Sequence, residues 1–557
     1  MTITLGENGS ANQLRADLAS TGTSKGAEMV GYLAPYTGAV GRTQASKNAD
    51  TVSVLDFYAN GVSGAAVDPT GVLDSTGGLQ AAINTGKKVI APSGSTYLIN
   101  GGLSATTSGQ VLDFTGCTVK LKDSATSKFS LTLAGTYQTV IGGTWDGNKA
   151  TNVPGSLYDS ASVYVTGNNC TVDGITSVNT AGIGVKGSSA VNDLTVQNCK
   201  ISGTTLYGIF VDAVVGVSQY RNRAIGNTID GALLTQNGIL LTGDGSYAGG
   251  FGQYDWDVSG NVVTCGTATT SFPICIAVRG HRGNFANNRT VGGSMGISEG
   301  GNDTVYVGNN ISNTSGAASY GIEISGKRCV VSGNRIGGVK FGISGTSNSP
   351  DDLVVTGNSI VASVVGVDPL AAANVSVTGN TIRCGVGVRA TSASAGLSVS
   401  GNRLIGPGSG TGGTYPLLLT DPSAASKATF SNNICSGFSK LMCVYGTSAL
   451  VCTDLSAVGN NFSNDMGADE SGWFFLGSAS AGARVCCIQT VTSGGGLGKD
   501  IHDQAANTFT QYSNAYATPE SNVTAGIGSV YYDLNSAAGA FYKKSGANTN
   551  TGWVLMS

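Results

Sequence analysis

Glutamate is scarce in this chain of 557 residues, occurring only at Glu7, Glu28, Glu299, Glu323, Glu470 and Glu520. Glu299 and Glu323 fall in two copies of one pattern within Met295–Ile336: a Gly-Ile start, the Glu, a short turn, an apolar strand and a turn ending in Asn310 or Asn334. Two carboxyl groups one repeat apart have the makings of a general acid and its partner. Like charges stacked in adjacent strands are unfavourable without a purpose. Their register has two readings. Counted back from the Asn turns, the two Glu coincide; counted from Gly296-Ile297 and Gly321-Ile322, Glu299 comes one position late and falls on the opposite face. A one-residue bulge after Ser298 would reconcile the counts.

Composition bounds what can surround them. Charged residues make up 11% and Gly accounts for 85 positions, so few long helices are expected. With 40% hydrophobic residues in patterned positions, disorder is excluded. A net charge of −3 gives no basic footprint for nucleic acid. No apolar run has the length of a membrane span, and no signal-peptide pattern opens the chain. Most of the 12 Cys sit singly in apolar strand patterns and read as small hydrophobes, and two His with no ligand spacing leave no metal or cofactor to expect.

Residues 1–52 are polar and weakly patterned, a stem or linker with a short helix expected within Leu14–Met29. The strand VSVL, from Val52, leads into residues 53–110, where a polar Asp74-Ser75-Thr76 stop precedes the amphipathic LQAAINTG and two strands follow, which reads as the cap of a β array. From 111 to 462 the chain repeats. VSGN, VTGN, FANN, FSNN or VGNN turns recur at Asn261, Asn288, Asn310, Asn334, Asn358, Asn380, Asn402, Asn433 and Asn461. A period of about two dozen residues built from short alternating strands means a solenoid, here a parallel β-helix whose Asn are structural. Asp146 in TWDGN reads as a corner residue. Residues 463–557 read as antiparallel strands and a hairpin-rich module with exposed Tyr531, Tyr532, Phe541, Tyr542 and Trp553.

VSVLDF, LQAAINTGKKVIAPSGSTYLI, GGTWDGN and the VSGN rungs together resemble a bacteriophage tailspike of the pectate-lyase-like β-helix superfamily. VGYLAPYTGAVGRTQASKNADTVSVLDF is similar to the stem of such spikes, and the closing TPESNVTAGIGSVYYDLNSAAGAFYKKSGANTNTGWV to a module of phage tail proteins. The resemblance implies a right-handed parallel β-helix in a homotrimer on the virion. It implies attachment to phage tail proteins through the N-terminus, although no sizeable particle-binding domain precedes the stem. It also implies binding, and usually cleavage, of a bacterial capsular polysaccharide or O-antigen.

Glycoside hydrolysis needs two carboxyl groups. Glu323 and Glu299 are the first candidates, with Asp212 in YGIFVDA and Asp244 in LLTGDGSYAGG as alternative partners. Arg279, His281 and Arg282 in AVRGHRGN form the densest positive cluster nearby, suited to an acidic sugar or to the base of a lyase. Tyr247, Tyr254 and Trp256, in a loop longer than its neighbours, offer aromatic faces for sugar rings. A lyase on the same fold would lean on Arg279 and His281, and a non-catalytic adhesin would need only the aromatics.

A solenoid flanked by a stem and an end module, neither with an obvious core of its own, is expected to be trimeric. Sedimentation should give three chains per particle, and a stable monomer at micromolar concentration would contradict this.

Overall fold

A three-residue strand has no stability alone and needs a hydrogen-bonded neighbour on each side. In the computed structural model of this chain each strand finds one a full turn later. Met295–Glu299 pairs in parallel with Tyr320–Ile324, Val305–Val307 with Val330–Ser332, and Asn310–Ser312 with the start of Arg335–Gly345. Repeated along the chain, this pairing builds a parallel β-helix with three sheets. The structure describes residues 7–556 except 21, 23, 58–65, 215, 232–233, 243–251, 267–272, 313–318, 347–349, 392–395, 409–413, 421–425, 440–441, 446–451, 463–473, 477–483, 492–501, 504–508, 514–529, 534–539 and 546–550.

In-register stacking sorts side chains into columns. On the first sheet Leu131, Val163, Val185, Ile209, Ile239, Ile276, Ile297, Ile322, Ile343, Val367, Val388 and Leu417 form one continuous buried column. The residue before each Ile of the Gly-Ile pattern is also turned inward. A Cβ at Gly321 would strike the side chain of Ile336 and crowd the Gly342 carbonyl of the next rung. Two successive inward residues bend the strand, so that Tyr320 and Glu323 on either side are both partly exposed.

The turn asparagines hold the rungs together. Asn227, Asn261, Asn288, Asn309, Asn334, Asn358, Asn380, Asn402, Asn433 and Asn460 form a buried ladder. Each amide donates to the Oδ1 of the next Asn, as Asn334 Nδ2 does to Asn358 at 2.9 Å. The backbone N–H of Asn334 donates to the same Oδ1 at 2.8 Å, and its Nδ2 also reaches the Tyr306 carbonyl at 2.9 Å. Two of the expected positions shift by one: Asn309 and Asn460, not Asn310 and Asn461, are the ladder members. In both Asn-Asn pairs the first residue enters the core turn and the second opens the next strand, Asn310 pairing with Arg335 and Asn461 with Ile434.

The N-terminal end is closed by a helix at Thr76–Asn84, which turns Leu79, Ala82 and Ile83 onto the core. Its first turn is tied by Asp74, which accepts from Thr76 N at 3.0 Å, while Ser75 Oγ accepts from Asp68 N at 2.8 Å. The Asp68 carboxylate accepts from the Thr70 hydroxyl and from the backbone of Leu73, Thr70 and Val72, which lowers its pKa to about 2. The stem helix spans Glu7–Leu18, earlier than the sequence suggests, and only a short 3-10 turn forms at Gly26–Met29.

At the far end the expected antiparallel strands after Asn461 are not found. Arg484–Val491 pairs in parallel with Cys452–Phe462, and Phe509–Ser513 pairs in parallel with both Arg484–Val491 and Val530–Asp533. The stacking therefore continues past 462, and antiparallel hairpins begin only with Ala540–Lys544 and Trp553–Met556. Tyr531 and Trp553, expected on the surface, are 0% and 7% exposed. They pack edge to face at 6.1 Å and belong to the core.

Asn358→Ala should remove an acceptor from Asn334 and a donor from the Val331 carbonyl. Unsatisfied buried groups cost about 1–3 kcal/mol each, so a loss of at least ~3 kcal/mol is expected in thermal or denaturant unfolding. Replacing the exposed Asn310 by Ala should cost well under ~1 kcal/mol by the same measurement.

Candidate functional site

Beside the buried Ile column of the first sheet runs an outward one. It passes through Thr132, Tyr164, Lys186, Phe210, Leu240, Ala277, Ser298, Glu323, Ser344 and Asp368. Ser298 and Glu323 are joined directly, the Ser298 hydroxyl donating to Glu323 Oε2 at 2.6 Å. Most of this column is buried, and a groove opens over it at the rungs of Phe210 and Leu240.

There it is a cleft of about 540 Å³. Asp212 and Arg279 both line it, as do Tyr158, Tyr207 and Phe210. Tyr207 and Phe210 stack with ring centroids 4.6 Å apart, and the Tyr158 and Tyr207 hydroxyls lie 3.3 Å apart. Tyr207 and Phe210 belong to a small apolar cluster outside the main core. Burial first, then the Tyr158 hydrogen bond and charge, pushes the Tyr207 phenol well above its usual pKa; Asp212 adds to the rise and Arg279 opposes it. The cleft thus joins a stacked aromatic wall to one acid and one base. Asp212 and Arg279 were among the sequence candidates; the three rings were not, since Tyr207 and Phe210 are marked only by their place in a strand and Tyr158 sits in the short 3-10 turn Leu157–Asp159.

Four rungs further, about 19 Å at 4.8 Å per rung, lies Glu323. Tyr320 and Phe341, stacked at 5.0 Å, flank it. Two rungs beyond Glu323, across Ser344, lies Asp368, which the sequence reading did not select. Asp368 is 2% exposed. Its Oδ2 accepts from Arg389 Nε at 3.1 Å and from the Arg389 terminal nitrogen. Its Oδ1 has no hydrogen-bond partner among the described residues. Arg389 in turn lies over Phe341, 5.7 Å from the ring centre.

The bulge after Ser298 is absent. Met295–Glu299 pairs with Tyr320–Ile324 without a shift, so Glu323 stacks on Ser298. Glu299 instead is in register with Val278, in the neighbouring column. The pair expected at one-rung spacing is therefore offset by one residue, as the count from the Gly-Ile starts had it.

The remaining candidates go elsewhere. His281 and Tyr254 belong to a small corner sheet with Tyr220, where Gln219–Tyr220, Gln253–Tyr254 and Gly280–His281 stack. Tyr254 lies between Tyr220 at 5.5 Å and His281 at 5.2 Å, with Arg282 over its ring at 4.8 Å, so its faces are already occupied. Trp256 is 2% exposed and packs edge to face on Phe285 at 4.6 Å; it is core, because the loop returns to the barrel at that residue. Arg282 ion-pairs with Asp255 at 2.8 Å. It is one step of a corner column, Asp193, Arg221, Asp255, Arg282, Asp303, Arg328 and Asp352, all at φ between 52 and 61° and alternating in charge. Asp244 and Tyr247 lie outside the described residues. Among the described residues no group of three or more His, Cys, Asp or Glu is arranged to hold a metal, and no helix is long and apolar enough to cross a membrane.

The chain path has counterparts among solved structures. The tailspike protein of E. coli bacteriophage HK620, in complex with a pentasaccharide, is 13% identical, covering 96% of this chain and 90% of that one at a TM-score of 0.38. The Dettilon tailspike is 16% identical over 73% of this chain and 70% of that one, TM-score 0.37. The A-module of the Azotobacter vinelandii mannuronan C-5 epimerase AlgE6 is 14% identical over 75% and 99%, TM-score 0.36. No protein family and no curated protein matches the sequence. These likenesses are loose, and the β-helix itself rests on the strand pairings described above.

His281 carries a pH dependence. Burial, then Arg282, hold its pKa below 6.5, with Arg328 adding to this and Asp303 opposing it, and its Nδ1 accepts the Asn302 N–H at 3.0 Å. The unfolded chain takes up this proton more readily than the folded one. Stability should therefore fall as pH drops below 6.5 and level off beneath the folded pKa. Calorimetry of His281→Gln should show a smaller loss of melting temperature between about pH 7 and pH 5 than the native chain shows, and equal losses would count against the assignment.

Proposed function

We propose that this chain is a phage tailspike that binds a bacterial surface polysaccharide, capsule or O-antigen, along the groove of the first sheet and cleaves it by glycosidic hydrolysis. The observation that carries the reading is the shared column of Glu323 and Asp368, two carboxyl groups with only Ser344 between them. Two rungs are about 9.6 Å, close to the upper end of the separation that leaves room for a water in inverting hydrolysis. Glu323 is then the acid that protonates the leaving oxygen. Asp368, held by Arg389, is the base that activates water. Arg389 fixes the carboxylate by one oxygen, leaving Oδ1 for the incoming water or hydroxyl.

Two stacked aromatic pairs, Tyr207 with Phe210 and Tyr320 with Phe341, are sited to bury the C–H faces of successive sugars. The cleft with Asp212 and Arg279 is the recognition end, and Glu323 with Asp368 the reacting end. Glu299 stands one position off the column and is left out of the pair. The resemblance of the stem and cap segments supports a trimer on the virion, attached through its N-terminus and acting at the host surface. No cofactor enters the reaction.

A lyase reading keeps one specific support, Arg279 within reach of Tyr207 in the cleft. It is distinguished by its product, an unsaturated sugar that absorbs in the ultraviolet.

Glu323→Gln and Asp368→Asn should each lower the cleavage rate by about 10²- to 10⁴-fold while leaving binding to a susceptible capsule intact. Mass analysis should find saturated product ends from the native chain. Full activity in both variants would overturn the pair. Unsaturated ends together with inactivity of Arg279→Ala would favour the lyase, and binding without any product would favour an adhesin.

A further inference from the structure

The third sheet turns a different face to solvent, and its arginines differ from those at the corners. At the corners, Arg221, Arg282 and Arg328 each pair with an Asp, and Arg42 and Arg389 do the same in the stem and the groove. On the third sheet Arg289, Arg335, Arg383 and Arg403 are all exposed. None of their side chains forms a hydrogen bond or ion pair with a described residue. Arg289, Asn310, Arg335, Ser359, Thr381 and Arg403 follow one another in register. Arg383 stands beside them in the next outward position of the Thr381 rung, between Val361 and Ile405. From Arg289 to Arg403 is five steps, about 24 Å. Among the described residues no Asp or Glu occurs on this face over that length. A chain of net charge −3 thus carries a straight, uncompensated positive strip.

We infer that this strip is a second polysaccharide-binding surface, separate from the groove, that takes a carboxylate-bearing sugar chain lying along the helix axis. Charge complementarity requires an anionic occupant. A guanidinium fork matches a carboxylate by two parallel hydrogen bonds, which a point charge does not. Asn310, Ser312, Ser359 and Thr381, exposed or partly so between the arginines, supply neutral donors and acceptors for hydroxyl groups. The fixed rise per rung suits a polymer with regularly spaced charges. The inference does not depend on cleavage at Glu323.

The test is binding of the full chain to polygalacturonate, with neutral dextran and oligodeoxythymidylate as comparison polymers. The native chain should bind polygalacturonate in preference to both, with affinity falling as salt rises from about 0.05 to 0.5 M. The quadruple variant R289S/R335S/R383S/R403S should lose at least about tenfold, since four charge-assisted contacts are removed. If the quadruple variant fails to fold, Arg335→Ser should weaken binding and Arg335→Lys should restore only part of it. The arginine variants should cleave a short oligosaccharide of a susceptible capsule at the native rate, so failure here is distinguishable from failure of the groove. Undiminished binding by the arginine variants would overturn the proposal. Stronger binding of the oligonucleotide than of polygalacturonate would also overturn it, by pointing to a nucleic-acid surface.

Discussion

The strands of each rung bond in parallel to those of the rung beside it, so two residues in one column are separated by a whole number of steps of about 4.8 Å. The whole β-helix is subject to this. The core, the groove and the arginine strip are all columns, and their contents are decided by which residues share a register. The asparagine ladder reinforces the constraint from within. Because each Asn satisfies its neighbour's donors and borrows its own partners from the rungs on either side, no single rung can slip without leaving several buried polar groups unpaired.

That constraint explains why the fold was legible and the site only partly so. Asn and Gly turns at a fixed period declare a solenoid, and the buried Ile column follows from the Gly-Ile starts. Which of two adjacent Asn enters the ladder was not legible at Asn309-Asn310, because both residue types suit a tight turn and only the pairing decides. Glu323 stands out in the sequence by its rarity. Asp368, its proposed partner, does not, because Asp is common in turns and nothing in NSIVASVVGVDPL announces that it lands two steps from Glu323. The column becomes visible only when the strands Arg335–Gly345 and Ser359–Leu370 are laid side by side. His281, Arg282, Tyr254 and Trp256 looked functional as a cluster of unusual types. Backbone geometry sends them to a corner, where rings stack on rings and charges alternate, and to the core.

The two kinds of arginine make the same point about electrostatics. At the corner, left-handed backbone at each step brings side chains of successive rungs close together, and like charges there would repel. Alternation of Asp and Arg is the stable answer, though each exposed pair contributes little alone. On the third sheet the arginines are mostly separated by uncharged rungs, and their repulsion is further weakened by solvent. Charge can therefore accumulate there without unfolding the array.

The ladder asparagines are separated in sequence by as few as 21 residues, from Asn288 to Asn309, and by as many as 34, from Asn227 to Asn261. The rise between them is the same in both cases. Loop length is thereby uncoupled from axial distance. A stretch of chain inserted between two rungs changes what overhangs the groove, yet leaves Glu323 and Asp368 the same distance apart. Under the proposed function, loops can be lengthened, shortened or exchanged while the two carboxyl groups stay in place, so specificity and chemistry are separable on the chain.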